Sequence, residues 1–579
     1  MGSRVRINIA AAALAAIALR PSTVCAQTAT DTAGMVVSKH GVVISSSSIA
    51  SDVGASILRR GGNAVDAAVG TAFALAVTYP GAGNIGGGGF MVVRLKNGKA
   101  TTIDYRERAP LGSTPTMYLD ASGKINRALT ATGYLAPGVP GTVRGLALAH
   151  RKFGRLPWRE VVMPAAQLAS KGFPLDSGLA HSLNREVEQA MKPYAASVAA
   201  YAKSGGGQWQ PGDTILLADL GRTLTAIATT GADAFYTGWI ADSIAADMQR
   251  NGGLITKADL AAYRARERAP IRGSYRGYDI VTMPPPSSGG VAMVEMLNVL
   301  SHFDLRQQGR WSPETLHLMI EAMRRAYVDR ARYLGDPDFV KMPLSRLTSA
   351  KYASTLAAHI DRAKATSSVD LGKDIVTSTS VAAEGDETTQ FSIVDGDGNA
   401  VSNTFTLEGG YGSHVVVRGA GFLLNNEMGD FNKKPGETNV QGDIGTRANI
   451  IAPGKRMLSS MTPTIVSKNG KLFMVTGSPG GRTIINTVME VVLNATGFGM
   501  NAREAVDAPR LHHQWLPDVA NFERDAIPDS TLVRLRAMGH VVEQRGRQGD
   551  AHTIIFDAKT KTAYGANDRR SSDSKAAAP

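Results

Sequence analysis

The chain has 579 residues, 43% of them hydrophobic and 20% charged, which exceeds one ordinary domain, suffices for a large buried core and excludes a fibrous or disordered chain. Formal charge is +13, from 63 basic and 50 acidic residues. The densest basic clusters, 263–277 and 324–333, are interleaved with acids or apolar periodicity, so they read as a solvated basic face, and nucleic acid is not an expected partner.

The N-terminus reads as a processing signal. Arg4 and Arg6 give a basic start, "INIAAAALAAIAL" gives a short apolar run, and "VCA" precedes Gln27. A cut after Ala26 is expected, with residues 1–26 a signal peptide and the mature protein periplasmic or secreted, without a membrane anchor. That cut removes Cys25, the one cysteine, and with it any thiolate nucleophile or cysteine metal ligand.

Past a first strand-like stretch, apolar residues in "ASDVGASILRRGG" recur at helical spacing, and Gly61-Gly62 ends that helix. "NAVDAAVGTAFALAV" is a second helix, capped by Asn63 and stopped near Pro80. Two strands, "GFMVVRL" and "ATTIDYRE", are joined by the Asn97-Gly98 turn. Residues 131–176 carry loops and amphipathic helices, and 191–261 read as helical with polar breaks. Residues 273–290 read as a strand, a proline-rich break and a glycine turn into the helix "VAMVEMLNVL"; residues 313–335 are another helix. Periodicity is lost over 362–387, which reads as an exposed linker. Order returns with "TTQFSIVD" and "AVSNTFTLE", a hairpin about "GDGN". A second hairpin turns at Asn469-Gly470; "TIINTVMEVVLNAT" and "NAREAVDAP" are helices; "HTIIFDAKTKTAYGAND" is a closing hairpin; and the tail "SSDSKAAAP" is expected to fray. Strand pairs and helices in blocks predict an α+β fold, antiparallel sheets covered by helices.

Several motifs point away from chemistry they superficially suggest. "GAGNIG" (81–86) follows a helix and precedes a strand, the reverse of a dinucleotide fingerprint. "DGDGNA" (395–400) has Ala400 and Thr406 where a calcium loop needs Gly and Glu. The histidines are scattered, with His512-His513 the only close pair and no carboxylate partner evident for it, so zinc is not expected. "GSPGG" (477–481) lacks the spacing of a serine nucleophile elbow. What is left is the Thr388 junction. An internal threonine hydroxyl is a poor nucleophile, but at a new N-terminus its own α-amine, titrating near about 8, can take the proton. Cleavage between Glu387 and Thr388 would create that residue; ordinary strand filler is the other reading. Amides of "SPGGR" (478–482) suit an oxyanion or simply a flexible helix entry. Arg106 suits a carboxylate clamp or an ion pair with Glu107 or Asp104; Glu427 and Asp430 suit a substrate ammonium or turn chemistry.

The segments "GGNAVDAAV", "GNIGGGGFM", "DYRERAP", "PGVPGTV", "MPPPSSGG", "TTQFSIVDGDGNAVSNTFTLE", "LLNNEMGDF", "LSSMTPTIV" and "GSPGG" together give the chain a close resemblance to the gamma-glutamyltranspeptidases, over essentially all of it past the signal peptide. The resemblance implies a four-layer αββα N-terminal-nucleophile hydrolase and a proenzyme that cuts itself at Glu387–Thr388 into a large subunit, 27–387, and a small one, 388–579. It implies Thr388 as nucleophile, Thr406 as an orienting hydroxyl, Gly480 and Gly481 as oxyanion amides, Arg106, Ser459 and Ser460 on the donor carboxylate, and Glu427 and Asp430 on its ammonium. Glutathione and related γ-glutamyl compounds are the implied donors, with water, amino acids or short peptides as acceptors and no cofactor or metal. Two departures stand out: Glu408 where relatives often carry asparagine, giving an acidic pocket, and Gln441 where a lid aromatic is common, predicting a larger share of hydrolysis. A cephalosporin acylase and an inactive binding scaffold are the alternatives.

Overall fold

A computed structural model describes Gly2, residues 34–378 and residues 388–579. The expected signal cut, Cys25 and Glu387 lie outside the described residues.

Fourteen strands build two sheets: β1 (Val36–Ser38), β2 (Gly41–Ser45), β3 (Gly88–Arg94), β4 (Ala100–Asp104), β5 (Arg266–Arg268), β6 (Ile271–Tyr275), β7 (Tyr278–Thr282), β8 (Thr389–Asp395), β9 (Ala400–Thr406), β10 (Thr464–Lys468), β11 (Lys471–Thr476), β12 (Thr553–Asp557), β13 (Thr562–Ala566) and β14 (Lys575–Ala577). One sheet runs β1-β13-β12-β11-β10-β7-β6 and the other β14-β2-β8-β9-β3-β4-β5. Every neighbouring pair in both is antiparallel.

Side chains alternate across each strand, and that period sorts the core into layers. Val42, Ile44 and Val394 from one sheet meet Val281, Ile465, Val475 and Ile554 from the other in an apolar layer between them. The alternate residues Val43, Phe391 and Ile393 face outward into a second cluster, which holds helices α1 (Ser48–Arg59) and α2 (Ala64–Thr78). Ile280, Val466 and Met474 face a third, which holds α3 (Gly289–Leu300), α4 (Pro313–Tyr333) and α5 (Thr483–Gly497). The result is αββα.

Helix α2 is buried along its whole length, which its alanines and glycine permit. Asn63 caps it: the Asn63 side chain accepts from the amides of Val65 and Asp66, and Asp66 Oδ2 accepts from the Asn63 amide at 2.9 Å. Asp395, at the end of β8, accepts from the Ala64 amide at 3.0 Å and so ties the β8–β9 turn to the start of α2.

Four sequence expectations need correction. Residues 271–282 are two strands: Arg276 and Gly277, at φ 49° and 84°, make a two-residue hairpin turn that an arginine disguises. Residues 366–371 are docked: the Thr366 amide and hydroxyl donate to Glu321, and Trp515 Nε1 donates to Ser368 O at 2.7 Å. Cluster 324–333 is no solvated face, since Arg324 and Arg325 are buried around Glu321. The tail does not fray: β14 pairs Lys575 with Ser45, Ala576 with Ile44 and Ala577 with Val43, and Lys575 Nζ lies 2.7 Å from Asp52. Short alternation rich in alanine carries too little signal to be read as a strand.

Deleting Lys575–Pro579 strips the edge from β2. The loss of ladder bonds and of Ala576 and Ala577 burial should lower unfolding free energy by about 1–3 kcal/mol. Urea melts of the truncated and full chains measure it; coincident curves would show that β14 carries no stability.

Candidate active site

The register of the β8–β9 hairpin sets the site. Thr389 pairs with Phe405, so one further step puts Thr388 opposite Thr406, which pairs on its other side with Gly88 of β3. Both threonines are nearly fully buried and both line one cavity of about 360 Å³. The same wall holds Arg106, Glu408, Glu427, Asp430, Ser459, Ser460 and Gly481. Gly480 and Gln441 are not on it. Gln441 belongs to the segment whose Glu437, Asp443 and Ile444 do line the cavity, and its amide donates to Asn439 Oδ1 at 3.1 Å.

Between β11 and α5 the chain turns through Gly480 and Gly481 at φ 126° and 55°. A Cβ on Gly480 would lie 2.5 Å from Thr483 Oγ1, so conformation and space both require glycine. The Gly480 carbonyl accepts from the Thr483 amide at 3.0 Å and hydroxyl at 2.6 Å. Among the described residues neither glycine amide donates to a backbone acceptor, leaving two N–H groups at the entry of a helix, where anionic oxygen is favoured.

Thr406 Oγ1 accepts from the Glu408 amide at 2.8 Å. Glu408 itself has φ 82°, rare for a residue with a side chain. Arg106, with its guanidinium almost wholly buried, sits among carboxylates: Nη1 is 2.7 Å from Glu427 Oε2, Nη2 bonds Asp430, and Glu107 is 3.6 Å away. Its Nε donates to Met457 O at 3.3 Å. Residues 324 positions apart in sequence thus form one ion-pair cluster, where the sequence reading set Arg106 and the two acids at opposite ends of a ligand. Burial pushes the Glu427 carboxyl well above its usual range; Arg106 opposes this, while Glu107, Asp430 and Glu408 add to it. Glu107 is pushed up to about 8, by burial first, with Arg106 opposing and Asp430 and Asp104 adding. One guanidinium is thus shared by two buried carboxyls, Glu107 and Glu427, and the partly exposed Asp430, which leaves the buried pair short of counter-charge.

Ser459 and Ser460 precede β10. Ser459 O accepts from the Ser288 amide at 2.8 Å and hydroxyl at 2.6 Å. Arg330 of α4, which sequence reasoning passed over inside its charged cluster, reaches the cavity: Nε donates to Ser288 Oγ at 2.9 Å and Nη2 to Ser460 Oγ at 3.2 Å. Its only sequence signal was an arginine on a helix otherwise full of buried residues. Away from the cavity, His317, Glu321 and His540 bring ligand atoms within 4.8 Å of one another. The Glu321 carboxylate is already taken by Arg324, Arg325 and Thr366, so the trio reads as a structural network. His513 does have an acid beside it, Asp518 at 3.1 Å.

Glu107 yields a pH signature. Its carboxyl binds a proton in the fold up to about 8 but only to 4.5 in the unfolded reference. Its stabilising contribution is therefore complete below the lower value and lost as pH rises through the upper one. Glu107→Gln keeps the group neutral, so its stability relative to the parent should climb from about pH 5 to about pH 8 and level off above. Thermal melts across that range test this; a pH-independent difference would refute a protonated Glu107.

Residues 50–578 match the family described as Gamma-glutamyltranspeptidase. The chain is 48% identical over 537 residues, 92% of its length and 91% of the relative's, to the glutathione hydrolase proenzyme of Escherichia coli K12. Among solved structures it resembles a cephalosporin acylase from Bacillus halodurans, with TM-score 0.81 at 28% identity over 94% of this chain and 97% of that one. It also resembles the gamma-glutamyltranspeptidase of Helicobacter pylori, with TM-score 0.54 at 44% identity over 55% of this chain and 91% of that one. Family extent, relatives and αββα architecture agree: the chain belongs to the gamma-glutamyltranspeptidase family.

Proposed function

We propose that the protein is a self-cleaving γ-glutamyltransferase and glutathione hydrolase with Thr388 as nucleophile. The observation that carries this reading is Thr388 opposite Thr406 at the mouth of β8, on one cavity with the Arg106 cluster and the Gly481 turn.

Maturation begins when the Thr388 hydroxyl attacks the Glu387 carbonyl carbon. The peptide C–N bond breaks, an ester forms, and the nitrogen takes the proton. Water then cleaves the ester, releasing the Glu387 carboxylate and leaving Thr388 with a free amine and hydroxyl. Residues 27–387 become the large subunit and 388–579 the small one. Their separation is opposed by strand order, since β8 and β9 lie between β2 and β3.

In turnover the Thr388 amine accepts the hydroxyl proton as Oγ attacks the γ-carbonyl of the donor. The amides of Gly480 and Gly481 stabilise the oxyanion, and Thr406 orients the nucleophile. The leaving amine departs with the proton; water, an amino acid or a short peptide takes the γ-glutamyl group from the ester. The donor's ammonium goes to Glu408, Glu427 and Asp430, and its α-carboxylate to Arg106, Ser459 and Ser460. Recognition of both head charges leaves the departing amine free to vary. No helix of the described residues is long and apolar enough to cross a membrane, which fits a periplasmic or secreted enzyme.

The likeness to a cephalosporin acylase makes glutaryl transfer the second reading. A glutaryl group has no ammonium, and Glu408, Glu427 and Asp430 on the cavity wall disfavour it. A denaturing gel and two substrates decide. The parent should run as two bands and hydrolyse a γ-glutamyl anilide well ahead of glutaryl-7-aminocephalosporanic acid; Thr388→Ala should run as one band without activity. An active, uncut parent sinks the proposal, and a preference for the glutaryl substrate selects the acylase.

Gln441 stands in the segment bordering the cavity, and a polar lid admits water. With glutathione and glycylglycine, Gln441→Tyr should raise the ratio of transfer to hydrolysis; a ratio equal to or below the parent's would remove Gln441 from the account.

A further inference from the structure

Beside the start of β8 runs a buried polar chain that the reaction scheme leaves unused. Thr388 and Thr389 are neighbours on a strand, so their side chains leave opposite faces. Thr389 Oγ1 donates to Ser46 Oγ at 3.0 Å. Ser46 Oγ in turn lies 3.2 Å from His552 Nε2 and 3.4 Å from Asp550 Oδ2. Thr389, Ser46 and His552 have no exposed surface, and Asp550 has 9%. The chain then reaches the glycine turn: the Asp550 amide donates to Ser478 Oγ at 3.0 Å, and Gly549 Cα would lie 3.3 Å from a Cβ on Gly480. His552 is pinned through its backbone, its N–H donating to Gly477 O at 3.1 Å and its carbonyl accepting from Ser392 Oγ at 2.7 Å.

This is not a Ser-His-Asp triad. Asp550 Oδ2 lies 3.6 Å from His552 Nε2, the nitrogen that already faces the serine, and none of the three lines the cavity. It is also costly. His552 Nδ1 and Asp550 Oδ1 are buried with no hydrogen-bond partner, where apolar side chains would pack without penalty. Such a cost is tolerable where a geometry must be held. Burial takes the His552 imidazole down to about 4, with Arg510 also lowering it and Asp568 opposing. Burial and Asp568 raise the Asp550 carboxyl well above its usual range, against Arg510 and Arg570. Arg510 is itself held by Asp568 at 2.6 Å. Burial thus disfavours charge on both side chains of the chain.

We propose that His552, with Asp550, is a positioning residue for the Thr388 hydroxyl, acting through Ser46 and Thr389 to fix the start of β8 against the Gly480–Gly481 turn. The need arises at maturation. Once the bond to residue 387 is cut, Thr388 is a chain terminus, and termini fray unless tied down. The Thr389–Ser46 bond is a lateral tether one residue from the end, and His552 holds the other side of it.

The proposal rests on Thr388 being the nucleophile, which parent turnover and its loss in Thr388→Ala establish separately. The test compares His552→Ala, His552→Gln and Ser46→Ala in the full chain, reading matured fraction on a gel, Tm, and kcat and KM for a γ-glutamyl anilide per matured site. His552→Ala should lose about 10- to 100-fold in kcat with KM within about twofold. His552→Gln, which returns a polar group to similar reach, should recover most of that loss, and Ser46→Ala should track His552→Ala. If His552→Ala does not mature, Ser46→Ala carries the same expectation. Parent-like kcat per matured site in the truncated variants, or no recovery in His552→Gln, would overturn the assignment.

Discussion

The antiparallel pairing of β8 with β9, inside a sheet whose flanking strands β2 and β3 come from far earlier in the chain, is the constraint on which the rest depends. It sets Thr388 against Thr406, and it makes the first residue of the hairpin an interior residue of the fold. A peptide bond broken there removes one covalent link but none of the ladder bonds on either side of the hairpin. Each such bond contributes modestly to stability, but there are many, and all would have to break for the pieces to part. Register also separates the faces: Thr388 goes to the cavity, and Thr389 to the buried side toward α1 and α2. A slip of one residue would exchange them and place the hydroxyls on the wrong sides.

The electrostatics at the head of the cavity follow from burial of carboxyls around the Arg106 guanidinium. Arg106 faces Glu427 and Asp430 directly, with Glu107 near by, and Glu408 adds to the crowding. Burial raises the Glu107 and Glu427 carboxyls in response, favouring their protonated forms. Under the proposed function an amino-acid head would settle it differently, bringing an ammonium to the acids and a carboxylate to Arg106 and the serines.

Much of the fold was legible because most elements carry strong local signals. The Asn63 cap, the Asn97-Gly98 and Asn469-Gly470 turns and the "GDGN" hairpin are short-range chemistry, and each forms where the residues place it. The misses share a different cause. The 276–277 turn uses arginine at positive φ, which only the neighbouring strands justify. Strand β14 and residues 366–371 are ordered by partners hundreds of positions or a whole layer away. The site divides the same way. Thr388 and Thr406 follow from one hairpin, whereas Arg106 with Asp430, and Arg330 with Ser460, are long-range meetings that periodicity does not encode. Family resemblance supplied the former pair; neither it nor the pattern pointed to Arg330.

A shared fold with a cephalosporin acylase at TM-score 0.81 means that architecture does not choose the acyl group; side chains at the head of the cavity must. Glu408 is the informative one. It sits at φ 82°, in a loop where Tyr411 and His414 are also left-handed, at φ 60° each. A side chain in that region costs on the order of 1–3 kcal/mol, which glycine would avoid. Backbone bonding alone does not call for glutamate: the Glu408 amide donates to Thr406 Oγ1, and glycine would make that bond equally well. What glycine lacks is the carboxylate, near enough to Glu427 to shift its titration. Under the proposed function that carboxylate suits a cationic head, which a glutaryl chain lacks.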